Sequence, residues 1–295
     1  MSARAPLLTV VIPCGRRRPV GLDAWRAQDL PLEILLLLNG NYTGEDLGAP
    51  LAEADSPRGE PRANGIPAPL HPPAEGWPVR SVRVEWRGHG PTRQGALPLL
   101  RTPLVCFSVD DALPLGAGVA RALARGLQEG AYDAVSARQV PWGHASGAVR
   151  ARLRAWTPPP QPGAPTHAPT DRLDHVAALY RTETLRGRPL PELPTAEDWA
   201  WARLGEPPPR LGYVPGAAVL HSHARAFAPL RARTREEHAV RVSLGEAPRV
   251  RGWGGLVRAL PGAAMSGMLR GDLPGTLGEL FGQAEGARAA AALRR

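Results

Sequence analysis

Two uninterrupted apolar runs constrain this chain more than any other feature. Leu7 to Pro13 reads LLTVVIP and Leu32 to Leu38 reads LEILLLL. A strand with one wet face alternates apolar and polar residues. A run without that alternation suits a strand covered on both faces, as in a parallel sheet between helices. Leu104 to Val109 and Tyr132 to Ala137 are further apolar strand candidates. Segments of helical pattern lie around them, at 20–29, Pro91 to Leu100 (Pro91 sits in the first turn, where proline is tolerated) and 116–129. Strand and helix therefore alternate through the first half. That order predicts an α/β domain with a mostly parallel sheet, whose ligands bind at the C-terminal ends of the strands.

The rest of the chain is less regular. Val82 to Trp86, His175 to Tyr180, Leu211 to Val214 and Ala217 to His221 read as short strands, and Glu197 to Leu204 as a short helix. Residues 42–79 and 139–172 are rich in proline and glycine and read as long loops, the first opened by the turn signal Asn39-Gly40-Asn41. Beyond about 229 the pattern is helical and arginine-rich, ending in an amphipathic helix over about 275–294. The expected division is an α/β domain over 1–228 and a helical extension over 229–295.

All 36 basic residues are arginine, giving a formal net charge of +9. Arginine is in excess together with alanine, proline and glycine, the mark of a genome-wide codon bias. The charge is therefore read first as a solvated surface and only second as attraction to an anionic partner. Aromatics are too sparse for a base-stacking platform, so nucleic acid is not an expected partner. Cys14 and Cys106 sit inside strand candidates and read as small core residues, not a disulfide or a metal site. Met1 to Pro6 is too short and polar for a signal peptide, and no run approaches the ~18 apolar residues of a membrane span. A cytoplasmic location is the expectation.

Four segments can carry chemistry. Asp110-Asp111 leaves a buried strand; adjacent carboxylates repel and suit a divalent cation, or else cap the following helix. Glu197-Asp198 opens a short helix, either as a capping box with Thr195 or as a general base at a site mouth. His221 and His223 are two apart, so on a strand they share one face and would meet a metal or a diphosphate together, or simply face solvent. Gly88 to Gly95 joins a strand to a helix and offers backbone N–H groups to a phosphate, or is an ordinary turn; it has no P-loop Lys-Ser/Thr.

In order, these blocks resemble the family 2 glycosyltransferases of the GT-A fold, in their rhamnosyltransferase-like branch. LLTVVIP is similar to the family's opening strand and EILLLLNGN to its second. GPTRQGALPLLRTPLVCFSVDDALP is similar to its helix, strand and metal-binding acid block. DHVAALYRTETLRGRPLPELPTAEDWAWA leads into its acidic pair, and LGYVPGAAVLHSHARA resembles its closing strand and histidine motif. The resemblance implies Asp111 and His221 as ligands of Mg²⁺ or Mn²⁺, and Asp198, beside Glu197, as the general base. It places Pro13, Asn39, Arg93, Asp110 and His223 against the donor. Val109 stands where the family's DxD motif has its first acid, and Leu38 or Asn39 stands where a base-contacting acid is usual.

The implied reaction is inverting transfer of a sugar from a nucleoside-diphosphate donor to a hydroxyl of a glycan or lipid-linked acceptor. Two alternatives stay open: a catalytically degenerate GT-A protein that only binds nucleotide sugar or glycan, and a nucleotidyltransferase using Cys14-Gly15-Arg16-Arg17-Arg18 as its basic loop. Arg231, Arg233, Arg235, Arg241 and Arg251 in the tail would suit peripheral contact with an anionic membrane face, or else belong to a packed extension or dimer contact.

Overall fold

The computed structural model describes residues 5–15, 18–39, 66, 71–223, 226–248, 250 and 252–293. Residues 40–65, which include Gly40-Asn41 and most of the expected loop 42–79, lie outside the described residues, as do Arg16, Arg17 and Arg251. The strands are β1 (Leu8–Cys14), β2 (Leu32–Asn39), β3 (Val79–Val84), β4 (Leu104–Ser108), β5 (Leu113–Pro114), β6 (Ala134–Val140), β7 (Ala168–Thr170), β8 (Ala177–Arg181) and β9 (Leu211–Leu220). The helices are α1 (Leu22–Arg26), α2 (His89–Gln94), α3 (Val119–Glu129), α4 (Gly147–Trp156), α5 (Thr182–Gly187), α6 (Glu197–Arg203), α7 (Phe227–Ser243), α8 (Gly252–Leu269) and α9 (Leu273–Leu293).

One sheet runs in the order β3-β2-β1-β4-β8-β6-β9-β5, with β7 also on β9. Strands β1, β2, β3, β4, β6 and β9 point one way, and β5, β7 and β8 run against them. The reversal at β8 matters for the site. It brings the residues just before β8 to the same edge as the C-terminal ends of β1, β4, β6 and β9.

The apolar runs do what their pattern requires. Successive side chains of a strand point to opposite faces, so Val10, Ile12, Ile34 and Leu36 pack with α1 and α3 through Trp25, Val119, Leu123 and Leu127. Val11, Leu35, Leu37 and Phe107 pack on the other face with Tyr180, Leu185 and Trp201 of β8, α5 and α6. The result is a three-layer α/β/α body. Each fully buried aliphatic side chain contributes roughly 1.5–3 kcal/mol against its exposed state. Both cysteines are buried and free in this core.

Three readings change. The third strand is Val79–Val84, starting right after Pro78, and Trp86 beyond it is 44 % exposed. The stretch 139–172 is not one loop. It holds α4, capped by the Ser146 hydroxyl accepting from the Val149 N–H, and the short β7. The two expected strands before His221 are one strand, β9. Its register on β6 jumps from Ala137↔Val214 to Arg138↔Ala218, so Pro215, which has no N–H to donate, sits in the irregularity.

Helices α7 and α8 both pack on α9, and Val250, Leu256, Leu280 and Ala284 form the apolar cluster between α8 and α9. Gly278, Gly282 and Gly286 lie four apart on one face of α9. A Cβ there would come within 2.7, 2.6 and 2.6 Å of the Phe227, Arg231 and Arg235 carbonyl oxygens of α7. Only glycine allows the two backbones this close. No helix among the described residues is long and apolar enough to cross a membrane.

Candidate active site

The strand ends on one edge of the sheet gather the predicted residues into two groups. The first forms where β4 and β9 finish. Asp111 lies three residues past β4, and His221 and His223 lie just past β9. The Asp111 Oδ1 is 3.5 Å from His221 Nε2 and its Oδ2 is 3.8 Å from His223 Nδ1. One ligand atom from each of the three falls within 4.8 Å of the others. Two atoms each ~2.1 Å from one ion lie ~3.4 Å apart at the tetrahedral angle, so this spacing fits a shared cation. The donor set is one carboxylate and two imidazoles, a nitrogen-rich mix that suits transition ions better than Mg²⁺.

The histidine is braced as metal-binding histidines are. His221 Nδ1 donates to Gln139 Oε1 at 3.0 Å, leaving Nε2 to face Asp111, and Gln139 Nε2 donates to Asp174 Oδ2 at 2.5 Å. Burial pushes the Asp111 carboxyl up, but the hydrogen bond and charge of His221 and the charge of His223 outweigh it and hold it below its usual value. Burial and the neighbouring His221 lower His223.

Asp110 faces elsewhere. Its Oδ2 accepts from the Gly15 N–H at 3.3 Å and its carbonyl from the Val20 N–H at 2.8 Å, so it ties β4 to the turn after β1. Pro13 and Asn39 are half-buried near the ends of β1 and β2 on the same edge of the sheet. Val109, at the first DxD position, packs against the core.

The second group forms at the start of α6. Its expected capping box is absent: the N-cap is Ala196, not Thr195, and no side chain caps it. Ala196 takes the left-handed conformation, φ 58°, at a cost of roughly 1–2 kcal/mol. Strain of this kind concentrates at functional positions. Glu197 is 3 % exposed; its Oε1 accepts from Arg93 Nη1 at 2.5 Å and meets His175 Nδ1 at 2.9 Å. His175 Nε2 lies 2.6 Å from the Tyr180 hydroxyl. Asp198 stays partly accessible. Its Oδ1 accepts from the Trp199 N–H at 2.7 Å and its Oδ2 from the His175 N–H at 3.4 Å.

Neighbouring carboxylates are thus driven apart. Burial works against ionising Glu197, but the His175 hydrogen bond and the Arg93 charge dominate and lower it. Burial and the adjacent Glu197 charge push Asp198 up to about 6. That is the pattern expected when one acid anchors and the other exchanges protons near neutrality.

Arg93 is therefore buried behind Glu197 and is not presented at the strand-end edge. The glycine segment before it is closed as well. The N–H groups of His89 and Gly90 donate to the Pro194 and Leu193 carbonyls, and a Cβ on Gly90 would come within 2.3 Å of the Pro191 oxygen. That helix start has no free donors for a phosphate. Sequence reasoning missed Gln139, Asp174 and His175 as site residues. Their signal was present in Asp174-His175 at a strand start, but reading it needs the reversed direction of β8.

No protein-family model matches this chain, and no curated protein matches it. Solved structures do. The mannosyltransferase PcManGT from Pyrobaculum calidifontis, in complex with GDP-Man and Mn²⁺, superposes with a TM-score of 0.55 over 99 % of this chain and 79 % of that one, at 18 % identity. S. aureus TarS 1-349, in complex with UDP-GlcNAc, superposes with a TM-score of 0.50 over 80 % of this chain, at 15 % identity; the match spans 65 % of the TarS chain. The architecture is that of the GT-A glycosyltransferase fold.

Proposed function

We propose that this protein is a glycosyltransferase that moves a sugar from a nucleoside-diphosphate donor to an acceptor hydroxyl with inversion. One observation carries the reading: a carboxylate and two imidazoles spaced for a shared cation stand at the same strand-end edge of a GT-A sheet as the partly accessible carboxylate of Asp198.

Asp198, the more accessible of the acidic pair, takes the proton of the acceptor hydroxyl. The acceptor oxygen attacks the anomeric carbon as the bond to the diphosphate oxygen breaks, and the nucleoside diphosphate leaves. A positioned base of this kind contributes ~10²–10⁴-fold. Glu197 stays charged and fixed by Arg93 and His175, and so holds Asp198 in place. Asp111, His221 and His223 would hold the cation, which when bound stabilises negative charge on the leaving diphosphate. In-line displacement needs no second carboxylate nucleophile, unlike a retaining glycosidase.

The neighbouring GDP-Man and UDP-GlcNAc complexes support a nucleotide-sugar donor. The resemblance to rhamnosyltransferases adds deoxyhexose donors to those worth testing, and a glycan or lipid-linked acceptor in surface polysaccharide or glycolipid synthesis. Of the three arginines in the basic loop that the nucleotidyltransferase alternative needs, only Arg18 lies among the described residues, where it pairs with Asp23 at 2.5 Å. The test is a donor panel with Mn²⁺, read as nucleoside diphosphate release with and without acceptor sugars. Release from one donor supports transfer. Binding without release by the wild type favours the degenerate binder.

Peripheral contact with an anionic membrane face belongs to the same reading, but its surface differs from the one first expected. Arg231 pairs with Glu285 of α9, and Arg241 lies 5.3 Å over the Trp199 ring. On α8, Val257, Met265, Met268 and Leu269 are exposed, with Arg258 and Arg270 beside them and no acid within the helix. Flotation with phosphatidylglycerol liposomes, lost in a Met268→Asp/Leu269→Asp double variant, is the expected outcome. Protein left entirely in the soluble fraction contradicts it.

A further inference from the structure

The turn that enters β8 serves both groups of the site. Asp174, His175 and Val176 form it, and the Val176 N–H donates to Asp174 Oδ1 at 3.0 Å. His175 serves the group at the start of α6. Its Nδ1 meets Glu197 Oε1 at 2.9 Å and its N–H donates to Asp198 Oδ2 at 3.4 Å. The Asp174 side chain serves the other group through Gln139. Its Oδ2 accepts from Gln139 Nε2 at 2.5 Å, and Gln139 Oε1 stands 3.0 Å from His221 Nδ1. His221 Nε2 then faces Asp111 Oδ1 across 3.5 Å.

Hydrogen-bond direction along this series is set at Asp174. A carboxylate only accepts, so Gln139 turns its NH₂ toward Asp174. The Gln139 carbonyl oxygen is thereby left facing His221, and it too only accepts. Nδ1 of His221 therefore carries the ring hydrogen, and the lone pair of the neutral ring lies on Nε2, toward Asp111. Turning the amide over would press its oxygen against a carboxylate oxygen. It would also present NH₂ to Nδ1, move the ring hydrogen to Nε2 and block the ligand atom. Gln139 and His221 are 7 % and 6 % exposed, so solvent offers neither a ready alternative partner. The Gln139 backbone is fixed as well, with its N–H and carbonyl 3.2 and 3.1 Å from the Thr157 hydroxyl.

We propose that Asp174 is a positioning residue for the cation site: it holds Gln139 in the orientation that keeps the lone pair of His221 on Nε2, aimed at Asp111. The proposal rests on the cation reading of Asp111, His221 and His223 and deepens it. It assigns the residue that selects the ligand form of the histidine. It also puts that control on the turn that holds Glu197 and Asp198, so one element sets the cation site and the base together. Asp174 acts through Gln139 and is not itself a ligand.

Metal titration of the full chain tests it, with Mn²⁺ and Zn²⁺ as probes. Wild type, Asp174→Asn, Gln139→Met and the double variant are compared, with no nucleotide or acceptor present. Asn has the shape of Asp but a single oxygen, so it cannot accept from Gln139 and Val176 at once. Loss of an outer partner of a metal ligand weakens metal binding ~10–100-fold. The expected result is a loss of that size in Asp174→Asn, with the double variant no weaker than Gln139→Met alone. The tautomer is read separately, by nitrogen NMR of histidine-labelled, metal-free protein at a pH where the ring is neutral. Wild-type His221 should carry its hydrogen on Nδ1, and Asp174→Asn should gain the form with hydrogen on Nε2. Unchanged metal affinity in Asp174→Asn overturns the proposal, as does a wild type that binds neither metal or holds the His221 hydrogen on Nε2. Weakened metal binding with the wild-type tautomer retained overturns it too, since Asp174 then merely shapes the turn. Additive losses in the double variant do the same, because the route is then not Gln139. A wild type that binds metal in this way but no nucleotide keeps the proposal and removes the donor reading.

Discussion

Glu197, in the group at the start of α6, is 3 % exposed, and the protein supplies its partners in Arg93 and His175. In the group past β9 the His223 side chain is 53 % exposed and its ring meets Asp111 and His221 at distances longer than hydrogen bonds. The first group is satisfied and locked; the second is loosely assembled and open. A buried charge must be paired inside the fold, so residues like Arg93 and His175 are committed to holding geometry. A side chain left half in solvent with incomplete contacts has its coordination free for a ligand. The contrast separates residues that position from residues that bind.

The contrast is tested most severely at Asp198. Asp198→Asn is expected to cut turnover by ~10²–10⁴-fold while nucleoside diphosphate affinity stays within error. Normal turnover in that variant removes the base assignment. Its stability should move the other way. A carboxylate whose folded value is raised binds its proton more tightly in the folded state, so it lowers stability as pH rises from the unfolded carboxylate range through about 6. At neutral pH the Asn variant should therefore keep or raise the melting temperature.

Arg93→Met should do the reverse. It leaves Glu197 buried without its cation, a change of the class that costs ~3–5 kcal/mol. His223→Ala in the open group should cost under ~0.5 kcal/mol, as surface changes do. Equal losses in thermal unfolding for the two variants would erase the distinction between the groups. A smaller effect concerns acid sensitivity. Asp198 faces Glu197, His175, Asp174 and Arg233, and its raised value means that kcat/KM should fall as pH drops through about 6. A profile flat down to pH 4.5 would contradict this.

The sheet was legible because a strand covered on both faces leaves continuous apolar runs, as in β1, β2 and β4. The acid and histidine motifs were legible as residue types at strand ends. What sequence could not convey was direction and packing. Nothing in Ala177 to Arg181 says that β8 runs backward, yet that reversal brings His175 to Glu197. Arg93 lies in a segment shaped like a phosphate loop, and only the approach of Pro191 to Pro194 shows that its helix start is closed. α4 was hidden because the proline-rich stretch that follows it outweighed its weak apolar periodicity. The arginines of the tail read as one basic face, whereas the fold sends Arg231 to Glu285 of α9, Arg241 to Trp199 and Arg233 to Glu237 of its own helix.

The most direct test of the account is nucleoside diphosphate binding with and without Mn²⁺, followed by thermal unfolding in the wild type and in Asp111→Ala. A ligand present at 100 times its dissociation constant stabilises the folded state by ~2.7 kcal/mol. The account predicts a shift of that order for UDP or GDP that requires Mn²⁺ and disappears in Asp111→Ala. A shift that is indifferent to Mn²⁺ or survives in Asp111→Ala would contradict the cation-binding triad. No shift with any nucleotide would contradict the donor site itself.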